Sequence, residues 1–251
     1  MARALAILIV VRFALSLALF LLASEAWARP FPAAGLPRRG NGYLIPETWA
    51  QRGLRFGRPE LVGMIQRAAQ RVAREWPGAL LYVGDLSLRN GARTPWHASH
   101  RRGLDADLMF YAVDEDGLPA EPPRAMPVYD HRGETVLPDG RVLRFDVARN
   151  WELVKALLRD RDAQVVKIFV ATPLRAQLIL YAIGNDEPRT LISRAAQILE
   201  QPADSLPHDD HFHVRIAGPV EPPRVAARAG KPPKAVRGKP QQLQRHATKR
   251  R

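Results

Sequence analysis

The stretch that decides the fold runs from Trp96 to Leu108, WHASHRRGLDADL, and its counterpart lies at residues 207–216, PHDDHFHVRI. Five of the seven histidines fall in these two segments: His97 and His100 in the first, His208, His211 and His213 in the second. Only His131 and His246 stand apart. A β-strand projects alternate residues to one face. As strands, the segments place Asp105 and Asp107 on one face with Leu104, Ala106 and Leu108 on the other. In the same way His211 and His213 share a face, and Phe212 and Val214 turn into a core. If the two strands are neighbours, Asp107 and His213 meet at one point, and His100 reaches it from the loop before the first strand. Gly103 permits the tight turn this needs. Two strands showing His and Asp on one face would bury costly polar groups unless an ion sat among them. A catalytic zinc takes about three such ligands at about 2.0–2.2 Å and leaves a position for water.

Outward from this centre the pattern is mixed. Arg58 to Trp76 has helical periodicity, with Leu61, Met64, Ile65, Ala68, Ala69, Val72 and Ala73 on one stripe, stopped by Pro77-Gly78. Leu80 to Leu88 and Gly103 to Val113 read as strands. Residues 114–134 read as a loop, and Thr135 to Phe145 as a hairpin around Pro138-Asp139-Gly140. Asn150 to Arg159 reads as a helix with Asn150 as N-cap. Val165 to Ala171 reads as a buried strand. Helices are expected near Pro173 to Ile183, with Pro173 in the first turn, and near Arg189 to Glu200. A last strand, His211 to Ala217, closes the domain. The fold class is α+β: a single domain, residues 58–218, with a central antiparallel sheet carrying the site and flanking helices. Residues 29–57, rich in Pro, Gly and Arg, read as an irregular lead-in.

Both ends differ from this domain. Arg3 and Arg12 precede the apolar run Phe13 to Ala23, and Ala26-Trp27-Ala28 fits a small-x-small cleavage site. Residues 1–28 are therefore expected to be a cleaved signal peptide, which directs the chain to the periplasm. The alternative, a membrane anchor over Ala4 to Ala23, would carry Arg12 inside the span. The last segment, residues 219–251, holds ten Lys or Arg and one acid, Glu221, so nine of the net +13 charges lie there. It is rich in Pro and poor in large apolar residues, which predicts disorder. Two readings of it stand: a tether to an anionic envelope surface, or a solvated extension. Nucleic acid is not an expected partner, because no binding motif accompanies the charge. No sequence feature specifies an oligomeric state. The chain has no cysteine, which excludes disulfides, thiolate metal ligands and Cys nucleophiles.

His100, Gly103 and Asp107 form H-x-x-G-x-x-x-D, and His211 and His213 form H-x-H. Together these resemble the zinc metallopeptidase group that includes lysostaphin-type enzymes, D-Ala-D-Ala peptidases and the hedgehog fold. WHASHRRGLDADL and HDDHFHVRI are more closely similar to the penicillin-insensitive murein endopeptidase family, over about Gly42 to Ile216. The resemblance implies that His100, Asp107 and His213 bind Zn2+, and that His211 acts as base or as electrostatic stabiliser of the transition state. It implies that His97 and His208 line the site, where they are the candidates for a second metal. The substrate it implies is the peptide cross-link between D-alanine and diaminopimelate in peptidoglycan. Asp105 departs from the group's common alanine, and its expected place is behind a ligand histidine. Arg89 and Arg93, in the loop before His97, are candidates for an oxyanion or a substrate carboxylate, with a solvated loop as the alternative. Trp96 is expected to pack beside the site. Related D-Ala-D-Ala carboxypeptidases and dipeptidases commonly carry E-x-x-H. Asp210 stands at that position, so such an activity, with Asp210 as base, is the second reading. The third is a non-catalytic, metal-stabilised wall-binding module.

Overall fold

The structure is a computed structural model that describes residues 31–121 and 124–219. The expected signal peptide and nearly all of the basic tail lie outside the described residues. Among the described residues, no helix is long and apolar enough to cross a membrane.

The segment read as a lead-in contributes four short strands, β1 (Ala34–Gly35), β2 (Arg39–Gly40), β3 (Tyr43–Leu44) and β4 (Phe56–Gly57), and a one-turn helix, α1 (Glu47–Ala50). Leu36, Tyr43, Ile45, Trp49 and Leu54 from this segment are buried in the core. Its irregular composition therefore conceals an integral layer of the domain. Helix α2 (Pro59–Glu75) follows, with Pro59 at its first turn and Glu60 complementing the helix dipole. Its stripe buries Leu61, Val62, Met64, Ile65, Ala68, Ala69 and Val72.

The run expected as a strand over 80–88 is regular only at β5 (Leu81–Tyr82), with isolated bridges at Val83 and Ser87. β6 (Asp105–Met109) and β7 (Ala112–Val113) divide the second expected strand. The hairpin forms as β8 (Glu134–Val136) and β9 (Val142–Phe145). Helix α3 (Val147–Leu158) starts earlier than expected. Asp146, not Asn150, is its N-cap, with the Asp146 carboxylate accepting from Arg149 N at 3.0 Å. Asn150 is instead fully buried. Its side chain accepts from Tyr111 N and donates to Tyr111 O, so it pins the end of the site-bearing strand to the helix. β10 (Val165–Phe169), α4 (Thr172–Gly184), α5 (Arg189–Ile198), β11 (Leu199–Glu200) and β12 (His211–Ile216) complete the order.

The central sheet has the order β11-β10-β12-β6. β10 pairs antiparallel with β12 and β12 antiparallel with β6, while β11 joins β10 in parallel. One face of this sheet is apolar: Ala106, Leu108, Phe212 and Val214 are buried there. Phe212 meets Phe110 edge-on at 4.7 Å, and Phe110 meets Phe145 at 5.0 Å, the geometry that ring quadrupoles favour. The other face carries Asp105, Asp107, His211 and His213.

Candidate metal centre

Strand register sets the centre. His213 lies opposite Asp107 and Arg215 opposite Asp105 in the β12–β6 ladder. His100 arrives from the loop before β6. That loop turns at Gly103, with φ +66°, and a Cβ there would lie 2.2 Å from the ring of Phe31. Only glycine fits the turn that delivers His100.

Three donors converge. His100 Nε2 lies 3.3 Å from His213 Nδ1 and 3.3 Å from Asp107 Oδ1, and His213 Nδ1 lies 3.1 Å from the same oxygen. A tetrahedral ion with ligands at about 2.0–2.1 Å spaces its donors about 3.3–3.4 Å apart. The hydrogen bonds behind them fix which atoms point inward. His100 Nδ1–H donates to Leu86 O at 2.7 Å, leaving Nε2 as a lone pair. His213 Nε2–H donates to Asp105 Oδ1 at 3.1 Å, which aims the Nδ1 lone pair at Asp107. Two lone pairs and a carboxylate oxygen at these distances repel one another unless a cation, or protons, sit among them. Protons do so when no metal is bound. Burial opposes charge on His213, but Asp105 and Asp107 outweigh it and lift its pKa to about 9. Burial likewise opposes charge on Asp107, yet His100 and His211 hold its pKa well below the ordinary carboxylate value. The residues present thus fit a bound divalent ion. Asp105 stands behind His213, where it also accepts from Arg215 Nε at 3.3 Å.

His211 lies beside the donors, its Nε2 3.3 Å from Asp107 Oδ1. Its Nδ1–H donates to Asp210 at 2.5 Å. Burial opposes its charge, and Asp107 and Asp210 together raise its pKa to about 10. Asp210, the base of the carboxypeptidase reading, is here the acceptor that orients His211. His208 packs its ring 5.5 Å from that of His211 and against Phe169, with a buried Nδ1 that has no partner in the protein. Burial, reinforced by His211 and His213, lowers its pKa to about 4. Nitrogens of His208, His211 and His213 lie within 4.8 Å of one another, so a second donor set adjoins the first. His97 stacks on His100 at 4.2 Å, and its Nε2 lies 3.6 Å from Asp107 Oδ2.

The sequence reading missed two residues. Asp85, buried within the apolar run LLYVGDLSL, binds His97 Nε2 at 2.9 Å and Arg52 Nη1 at 2.8 Å. Main-chain bonds from Gly84 N to Asp107 O and from Asp107 N to Asp85 O bring it there. An aspartate in an otherwise apolar run was the available signal, because burying one requires partners. Arg52 also lies over Trp96 at 5.1 Å, which leaves Trp96 on the rim, 57% exposed. Arg89 and Arg93 are exposed, Arg89 with its guanidinium 5.8 Å from the Phe56 ring.

Convergent buried donors, a histidine beside them and a carboxylate behind it form the layout of a hydrolytic centre on an α+β domain. The chain is similar to the penicillin-insensitive murein endopeptidase of Klebsiella pneumoniae (strain 342), 29% identical over 80% of this chain and 67% of that protein. It is similar to that of Salmonella paratyphi B, 30% identical over 74% of this chain and 62% of that protein. The chain thus spans about two thirds of the length of these relatives. The family model described as penicillin-insensitive murein endopeptidase matches residues 31–250, and the chain belongs to that family.

Proposed function

We propose that the protein is a zinc-dependent endopeptidase of the periplasm that hydrolyses peptide cross-links between D-alanine and diaminopimelate in peptidoglycan. The observation that carries this reading is the triangle of His100, Asp107 and His213 donors with the His211–Asp210 pair beside it. When bound there, Zn2+ would supply a Lewis acid that acidifies water and polarises a peptide carbonyl. The chain's own residues do the rest. Asp210 holds His211 Nδ1–H and aims Nε2 at the reaction centre; a cation held by Asp107 would offset the carboxylate charge that keeps His211 protonated, freeing Nε2 to take the proton of the attacking water and pass it to the leaving amine. Asp105 keeps His213 in the ligating orientation, and the Leu86 carbonyl does the same for His100. His97, braced by Asp85 and Arg52, and His208 close the site on two sides. Arg89 and Arg93 are assigned to substrate carboxylates. The tail is assigned to tethering at an anionic envelope surface, and residues 1–28 to export.

The test is digestion of purified cross-linked muropeptide dimers by the mature chain, with and without chelator, read by mass spectrometry. Conversion of dimers to monomers that stops with chelator and returns with zinc is the expected result. Dimers that survive while terminal D-alanine is lost would replace this reading with a carboxypeptidase. Zinc binding without any cleavage would leave a metal-stabilised wall-binding module.

A further inference from the structure

Pro95 and Trp96 form the tip of a turn that the Thr94 side chain closes, its Oγ1 accepting from His97 N at 3.3 Å. Pro95 fixes its own φ. The next ring along the chain, His97, stacks on the metal-site His100 at 4.2 Å, so the turn stands at the mouth of the candidate centre. Among the described tryptophans, Trp49 and Trp151 are 4% and 1% exposed and Trp76 is partly buried, whereas Trp96 is 57% exposed. One face of its indole is occupied. The Arg52 guanidinium lies 5.1 Å from the Trp96 ring centroid and 5.5 Å from that of Trp49, and Arg52 Nη1 donates to the buried Asp85 at 2.8 Å. A cation pinned between two indoles by a buried carboxylate holds the Trp96 ring in one orientation. The opposite face is turned to solvent, and little conformational freedom remains for a ligand to remove.

The surroundings of this ring select what can cover it. Its chain neighbours Asn90, Arg93 and Thr94 are polar and reach solvent, so Trp96 stands alone rather than within an apolar patch. A protein partner needs about 800 Å2 on each side around an apolar centre. An apolar side chain gains most inside a concave pocket that encloses it, and a ring at the tip of a turn encloses nothing. A pyranose ring has the matching shape: a flat face of C–H groups and an edge of hydroxyls. The C–H face meets the negative face of the indole, and the hydroxyls stay among water and polar side chains. Peptidoglycan supplies such rings, because its peptides hang from a glycan strand. An extended peptide of four residues spans at most about 14 Å, so a sugar stays close to any bond cut in the peptide it carries.

We propose that Trp96, braced from behind by Arg52, is a stacking platform for a pyranose ring of the glycan strand, so that the protein binds the sugar as well as the peptide of its substrate. The inference rests on the proposed peptidase reading for its substrate, but its test does not depend on cleavage. The probes are an uncross-linked disaccharide-tetrapeptide, which offers no cross-link to cut, and the same tetrapeptide stripped of sugar. Each is titrated into the 15N-labelled mature protein, and the indole N–H signal of Trp96 is assigned by its loss in Trp96→Phe. The sugar-bearing ligand is expected to shift that signal and to bind about two- to tenfold tighter than the stripped peptide, the scale of an aromatic pair. Trp96→Ala is expected to bring the two affinities together, with the far-ultraviolet circular dichroism preserved, and Trp96→Tyr to keep part of the preference. Equal binding of the two ligands by the wild type, no binding of either, an unmoved Trp96 signal, or a preference that survives in Trp96→Ala would overturn the platform. If Trp96→Ala does not fold, the wild-type titrations and Trp96→Tyr decide. A sugar preference without any cleavage of dimers would keep the platform and count against the peptidase reading alone.

Discussion

His213 stands directly opposite Asp107 across the β6–β12 ladder, with Nδ1 3.1 Å from Oδ1. Because His213 Nε2–H donates to Asp105, the pair presents two acceptors to one point, and His100 adds a third. Asp107→Ala and His213→Ala are therefore expected to reduce bound zinc from about one ion per chain to near zero, with the far-ultraviolet circular dichroism preserved. Elemental analysis after gel filtration checks this. Full zinc occupancy in both variants would show that the ion sits elsewhere.

Asp105 makes a subtler prediction. It does not join the donor triangle but fixes the tautomer of His213. Asp105→Asn keeps the shape and weakens that hold. Groups in this position are worth about 10–100-fold in metal affinity, so competition with a chromophoric chelator should show a loss in that range. An unchanged affinity would reduce Asp105 to the partner of Arg215 alone.

The proposed roles set His211, assigned to catalysis, apart from neighbours assigned to metal binding. His211→Ala is expected to lower kcat for dimer cleavage by about 10²–10⁴-fold, the usual contribution of a positioned acid–base group, while zinc content stays at wild type. Asp210→Asn should give a smaller loss, since the asparagine can still accept from Nδ1–H but without charge. If His211→Ala also empties the metal site, the residue is a ligand and the base must be sought at His208.

Asp107 and His213 were legible because they sit on strands, where a period of two dictates which side chains meet. Asp105, Asp107, His211 and His213 followed from alternation alone, and the neighbouring strands supplied the register. What escaped depends on contacts distant in sequence. Asp85 reaches the site through main-chain bonds to Asp107, and Arg52 from the turn that follows a one-turn helix too short to announce itself. The lead-in hid Tyr43, whose strand pairs in parallel with β5 from across α2. Asn150 looked like an N-cap by residue type, yet Asp146 holds the cap and Asn150 ties down the end of the site-bearing strand.

Acid sensitivity away from the metal centre follows from Asp160. Its side chain, 5% exposed at the end of α3, accepts from Arg67 of α2 at 2.8 and 3.0 Å and from Asp162 N and Ala163 N. Burial pushes its pKa up, but Arg67 and the backbone donors outweigh burial and hold it below the ordinary value. A carboxyl with a depressed folded pKa binds fewer protons folded than unfolded. Its stabilisation is therefore present above the unfolded value near 3.9 and is lost as pH falls through the folded value. Urea midpoints measured between about pH 6 and pH 3 should fall in the wild type and fall less steeply in Asp160→Asn, which removes the charge and retains an oxygen for the turn. Arg67→Ala should cost about 0.2–1 kcal/mol at neutral pH, because its guanidinium is half exposed. Parallel pH profiles for wild type and Asp160→Asn would assign the acid sensitivity to other carboxylates, with the Glu187 pair to Lys155 and Trp151 as the next to examine.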